Sequence, residues 1–176
     1  MTSFLSSDSP DVNGAELRTA RLLLRPWADG ELAAVLDGAR QPHWAADFPA
    51  DGDQVIAGFI AENPGARGVY GQRQILERDG GRVVGAIGLF WPPRDGALEL
   101  GYGVVPSRQG RGYATEAARA MVAFACTAPG VRTVCADVEL SNPASGRVLE
   151  KAGLVRRSSD DRLARYRLTV PEPAAG

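Results

Sequence analysis

Gly110 and Gly112, within Gln109-Gly-Arg-Gly-Tyr-Ala114, are the residues whose type and spacing point most directly to chemistry. They separate an alternating run, Leu98 to Val105, from a stretch in which Ala114, Ala117, Ala118, Met121, Val122 and Ala125 recur on one helical face. A glycine turn that opens a helix can hold a phosphate. The first helical turn leaves N–H groups without partners, and the macrodipole puts partial positive charge at the same end. Glycine lets the backbone approach an anion with no Cβ in the way. Arg108 and Arg111 add charge. The turn lacks the Gly-Lys-Ser/Thr of a nucleoside-triphosphate loop. It also departs from the G-x-G-x-x-G dinucleotide fingerprint at Thr115, and no acidic residue follows at a suitable strand end. Neither nucleotide motif describes it.

A strand, the turn and a helix must position these groups. Leu98, Leu100, Tyr102 and Val104 alternate with Glu99, Gly101, Gly103 and Val105, and Pro106 ends the ladder. Two side-chain-free positions on the Glu99 face leave a groove along that strand. Upstream, Arg18–Arg25 reads as a first strand, and Asp29 caps a helix to about Gly38. His43, Trp44 and Phe48 fall in a loop, and Asp53–Asn63 reads as a second helix. Gly71–Arg78 and Arg82–Phe90 form a hairpin through Asp79-Gly80-Gly81. Downstream come a strand over Val131–Val138 and a helix over Asn142–Ala152, with Asn142 as cap and Pro143 first. Strands over Leu154–Arg157 and Arg162–Val170 end the series. The order β-α-α-β-β-β-α-β-α-β-β predicts one mixed α/β (α+β) layer structure with about seven strands. Residues 1–15 are expected to be a disordered tail, 16–170 a single domain and 171–176 a second tail.

Composition narrows the function classes. A formal net charge of -1 offers no basic field for nucleic acid or an anionic membrane. No apolar run is long enough to span a bilayer, and no signal-peptide pattern opens the chain, so the expected location is cytoplasmic. One histidine and two separated cysteines make no metal-ligand cluster, so no metal is expected. Cys126 and Cys135 read as buried free thiols.

The segment Gln109–Ala114 resembles the Q/R-x-x-G-x-G/A signature of the GNAT superfamily of N-acetyltransferases. Its flanks strengthen the likeness: LELGYGVVP before, GYATEAARAMVAFA after, then Ser141-Asn-Pro-Ala-Ser145 and Leu149-Glu-Lys-Ala-Gly-Leu154. Their order and spacing resemble the ribosomal-protein-type branch, and the resemblance runs from about Leu17 to Leu168. It implies a GNAT fold, with a central, mostly antiparallel mixed sheet and helices on both faces. It implies acetyl-coenzyme A as donor and an amine as acceptor, either a protein N-terminus or a small molecule. The pyrophosphate would lie on Gln109, Gly110, Arg111, Gly112, Tyr113 and Ala114. The pantetheine arm would lie beside Val104 and Val105, where the family's strand splays from its neighbour, and against Asn142.

Acetyl transfer also needs a proton acceptor, because a free α-amine has a pKa near ~8 and a lysine near ~10.4. Glu99, on the groove face, is the first candidate base and Glu77 the second. The tyrosine that many family members place before the Glu-Lys-x-Gly run is Leu149 here, which cannot donate a proton. The Asn142-Pro-Ala-Ser145 pattern resembles the ribosomal-protein-type branch instead, and that resemblance implies Ser145 as the donor to the leaving sulfur. No cysteine or serine shows a base partner, which favours direct transfer over an acyl-enzyme. Arg147 and Lys151 lie one turn apart and read as a solvated face or a 3′-phosphate contact, and His43 as a loop residue or acceptor-pocket wall. The alternative to an enzyme is a non-catalytic acyl-coenzyme A sensor that keeps the phosphate turn. Homodimerisation through edge strands is compatible with either.

Overall fold

The computed structural model describes residues 16–172; the expected tail at 1–15, and all of that at 171–176 but its first two residues, lie outside it. The elements are β1 (Leu17–Arg18), β2 (Leu22–Pro26), α1 (Asp29–Asp37), α2 (Asp51–Glu62), β3 (Gln72–Glu77), β4 (Val83–Leu89), β5 (Ala97–Val104), α3 (Tyr113–Ala125), β6 (Thr133–Glu139), α4 (Pro143–Lys151), β7 (Val155–Ser159) and β8 (Leu163–Thr169). The strands form one eight-stranded sheet in the order β1-β2-β3-β4-β5-β6-β8-β7. Every adjacent pair is antiparallel except β5 and β6.

The sheet has eight strands rather than about seven because the chain reverses inside the expected first strand. The Thr19 amide donates to the Leu22 carbonyl at 2.9 Å, and the Leu22 amide donates to Thr19 Oγ1 at 3.0 Å. That turn folds Leu17 back onto Leu24. Two helix starts also differ from expectation. Asp29 is the first residue of α1 rather than its cap, and it pairs with Arg67. α2 begins at Asp51 rather than Asp53. Asp53 sits one turn in, and its Oδ2 accepts the Ala50 amide at 2.8 Å. The half-buried cysteines are less enclosed than expected, because Cys126 ends α3 and Cys135 lies on the open face of β6.

β4 is buried along its whole length, as its near-continuous apolar run requires of a central strand. α3 covers one face of the β3–β5 region through Ala117, Ala118, Met121 and Phe124. α2 covers the other, where Phe59 meets Phe90 edge-on at 5.3 Å. Trp44 and Phe48, buried from their loop, pack at 5.1 Å and fill the α1–α2 side.

Close approach of β4 to β5 depends on Gly85, where a Cβ would overlap the Gly103 carbonyl. Gly85→Ala is expected to destabilise the fold by about 2–3 kcal/mol, read by urea denaturation, since the backbone can yield only by parting the strands. Asp53 makes the second prediction. Burial pushes its carboxyl up from 3.8 to about 6, against the weaker opposing effect of the Ala50 bond. The folded state therefore holds this proton more tightly than the unfolded chain, and stability from this group falls as pH rises between about 4 and 6. Relative to the parent, Asp53→Asn, which still accepts from Ala50, should gain up to about 3 kcal/mol between pH 4 and pH 7.5 in the same assay.

Candidate active site

The site begins where one strand loses a neighbour. β5 pairs with β4 from Leu100 to Val104 but with β6 only over Ala97–Glu99 against Thr133–Cys135. Beyond Glu99 the two parallel strands diverge. The splay thus starts earlier than Val104 and Val105. The Phe90 amide donates to the Glu99 carbonyl and the Val105 amide to the Val84 carbonyl, both at 2.9 Å. Residues in phase with these face β4, so the main-chain groups of Leu100, Tyr102 and Val104 face the opening. Val105 does not share that role, because its amide is bound to Val84 and its carbonyl accepts the Arg108 amide at 3.0 Å. The Val104 carbonyl accepts Gln109 Nε2 at 2.8 Å, which closes the turn onto the strand end.

The turn itself is held from three sides. Gly110 and Gly112 adopt φ of 78° and 80°, the left-handed region that glycine occupies without penalty. The first intrahelical bond of α3 runs from the Glu116 amide to the Gly112 carbonyl at 3.1 Å. The amides of Tyr113, Ala114 and Thr115 therefore precede any intrahelical acceptor and point out of the helix start. Arg21 Nη1 donates to the Arg111 carbonyl at 2.8 Å and its guanidinium lies 4.8 Å from the Tyr113 ring centre. Arg21 Nε is bound to Glu116 at 2.9 Å, and Thr19 Oγ1 donates to the same carboxylate at 2.6 Å. Burial opposes the charge on Glu116, but these hydrogen bonds outweigh it and hold the carboxyl below its ordinary value. Nothing in the local pattern marks Thr19 and Arg21 as partners of a turn some 90 residues later.

Glu77 belongs to this support. Its carboxylate accepts the Tyr113 hydroxyl at 2.7 Å and Arg108 Nε at 3.3 Å. That places it on the α3 side of the sheet, opposite the Glu99 face. Lys151 lines an open groove beside α3 with Thr115 and Arg119. Arg147 borders a different hollow with Asn142 and Tyr166, so the two cations do not converge.

Glu99 lies on the same face as Gly101 and Gly103, at the vertex of the splay. Partial burial raises its carboxyl above the ordinary range, the charge of Asp137 adds to this, and Arg94 opposes it. Across the opening, Asn142 caps α4 by accepting the Ser145 amide at 3.2 Å. The Tyr102 hydroxyl donates to the Ser145 carbonyl at 2.9 Å and lies 2.6 Å from Ser145 Oγ. Tyr102 so bridges β5 and the first turn of α4 across the gap that β6 leaves. Sequence periodicity marks it only as one more strand residue. Leu149 is fully buried and turned into the core.

On the Glu99 face, Gly101, Gly103 and Val104 form one wall of a cleft closed by Asp53 and Ile56 of α2. His43 lies elsewhere. Glu31 lies 2.5 Å from His43 Nε2 and accepts from Trp44 Nε1 at 2.5 Å and from Gln74 at 3.1 Å, which pins the loop. Among the described residues no cluster of metal-ligand side chains occurs, and no helix is long and apolar enough to cross a membrane.

Comparison with known proteins agrees with this geometry. The profile of the acetyltransferase (GNAT) domain matches residues 21–155. The uncharacterized N-acetyltransferase YjdG of Bacillus subtilis (strain 168) is 29% identical over 98 residues, 55% of this chain and 58% of that protein. The match therefore spans little more than half of that relative's length. A GNAT-family acetyltransferase from Bacillus anthracis superposes with a TM-score of 0.67 at 21% identity, over 89% of this chain and 99% of that one. RimL, a ribosomal L7/L12 alpha-N-protein acetyltransferase solved with coenzyme A, superposes with a TM-score of 0.61 at 16% identity, over 86% of this chain and 96% of that one. The splayed strand, the glycine turn and the matched profile lead to one conclusion: this chain belongs to the GNAT acetyltransferase family.

Proposed function

We propose that the protein transfers an acetyl group from acetyl-coenzyme A directly to a primary amine. The observation that carries this reading is the pairing of a splayed β5 edge with a helix start whose amides face outward. A thioester on a long flexible arm with a diphosphate needs both features. The diphosphate lies over Gly110, Arg111 and Gly112 and accepts from the amides of Tyr113 and Ala114, with Gln109 holding the turn against Val104. The pantetheine arm takes the place that β6 vacates, along Leu100 to Val104, with the exposed Asn142 side chain at its flank. Lys151 and Arg119 stand where the nucleotide end of the cofactor would emerge.

The neutral amine attacks the thioester carbon, a C–N bond forms and the carbonyl oxygen gains negative charge beside the β5 amides. Glu99 takes the proton that the attacking nitrogen sheds. The C–S bond then breaks, and the Ser145 hydroxyl, whose proton rests on the Tyr102 oxygen before reaction, rotates to donate to the leaving thiolate. A coenzyme A thiol near the ordinary thiol pKa of ~8.5 needs little more help than that. The Tyr102–Ser145 pair argues against the alternative of a non-catalytic sensor, because it supplies a hydroxyl that the buried Leu149 does not. The acceptor class, a protein N-terminus or a small amine, follows the family likeness alone.

Calorimetry with coenzyme A and thiol release from acetyl-coenzyme A against amines and N-terminal peptides test this reading. Micromolar binding with turnover is expected; absence of binding would overturn it. Glu99→Gln should lower kcat about 10²-fold and remove an acid limb lying above the ordinary carboxylate range, with coenzyme A affinity unchanged. Ser145→Ala should lower kcat by about tenfold, the worth of one hydrogen bond to a charged leaving group. Unchanged turnover in either variant would remove that residue from the mechanism.

A further inference from the structure

Asp53 is a carboxylate with no structural need to be one. It is 5% exposed, and its Oδ2 accepts from the Ala50 amide, a bond an asparagine would make equally well. Its Oδ1 accepts from no protein group among the described residues. That oxygen is nevertheless not sealed from solvent, unlike Arg73 Nε and Trp27 Nε1. It opens into the cleft between α2 and the glycine positions of β5, a space of about 260 Å³. The walls are uncharged: Ile56 from α2, Gln72 from β3, Ala86 from β4, and Gly101 and Gly103 from β5. Tyr102 is the other titratable group of the lining, and Asp51, on the same helix, is exposed at the surface. A half-satisfied carboxylate in an apolar cleft calls for a cation or a hydrogen-bond donor.

We infer that Asp53 is the docking site for the acceptor's ammonium group and accepts its first proton. This rests on the proposed acetyl transfer and adds a step before it. The acceptor enters as R–NH3+ and pairs with Oδ1. One N–H bond breaks, its electron pair stays on nitrogen, and the proton passes to Asp53 and from there to solvent at the cleft mouth. The neutral amine then faces the β5 edge, and Glu99 takes the second proton as the amide forms. The ligand class is a primary ammonium on an apolar stem slim enough for this cleft. The burial that raises the Asp53 carboxyl to about 6 gives it a basicity closer to neutral pH than an exposed aspartate has.

The test compares the parent with Asp53→Asn, which preserves the Ala50 bond. Calorimetry with coenzyme A comes first and should give equal affinities; no binding by the parent would overturn the acetyltransferase reading as a whole. Butylammonium is then titrated into the coenzyme A-loaded proteins. Binding should be at least tenfold weaker in Asp53→Asn, and in the parent it should weaken as pH falls through about 6. Thiol release with butylamine should drop at least tenfold in the variant. With methoxyamine, which is neutral at assay pH and brings no ammonium proton to remove before attack, the drop should be less than twofold. Equal butylammonium binding by the two proteins, or none by a parent that binds coenzyme A, would overturn the Asp53 assignment alone. So would equal losses with both amines.

Discussion

The structure turns on how few residues β5 and β6 share. Three residues of parallel pairing hold the two halves of the sheet together, and beyond Glu99 nothing closes the ladder. Unpaired main-chain groups inside a protein are costly unless a ligand or water satisfies them. A strand edge left open in the middle of a sheet therefore calls for a partner from outside the ladder. β4 makes it tolerable, because β5 is fully paired along its other edge by a strand buried on both faces. The opening is paired on one side and unpaired on the other.

Everything around the opening supports it from a distance in sequence. Tyr102 reaches across the gap to Ser145, so α4 is braced against β5 although no strand lies between them. Arg21 and Thr19 hold the start of α3 through Glu116, and Glu77 holds Arg108 and Tyr113. Asp47 accepts from both the amide and the hydroxyl of Ser107, at 2.8 and 2.6 Å, which ties the Trp44–Phe48 loop to the same turn. The glycines at 110 and 112 supply conformations that place amides outward, and these polar contacts keep them there.

The two carboxylates on the Glu99 face of β5 and in the cleft beside it differ in kind. Glu99 stands at the vertex, partly solvated and near Asp137 and Arg94. Asp53 is enclosed, away from charge, with one oxygen committed to the backbone. Burial of an unpaired carboxylate lowers stability at neutral pH, and such an expense is common where a group must meet a charged substrate.

The sequence alone determined the local grammar. Period-two alternation marked β5, glycine spacing marked the turn, Asn142 and Pro143 marked the start of α4, and Asp79-Gly80-Gly81 marked the hairpin, since each depends on a few adjacent residues. It placed Glu99 on the groove face for the same reason. It missed the Thr19 reversal that makes the eighth strand, because one hydroxyl bond decided it. It read Asp53 as a helix start and Glu77 as a possible base, because side-chain environment is not a property of neighbours in the chain. Only the tertiary structure decided that Glu77 serves the turn, that Val105 is already bonded, that Tyr102 meets Ser145, and that Asp53 closes a cleft. The Val105 bonds extend the β4–β5 ladder and close a local turn; the other three join elements dozens of residues apart, and only packing of α2, α3 and α4 on the sheet brings their polar atoms within hydrogen-bond reach or into one cavity.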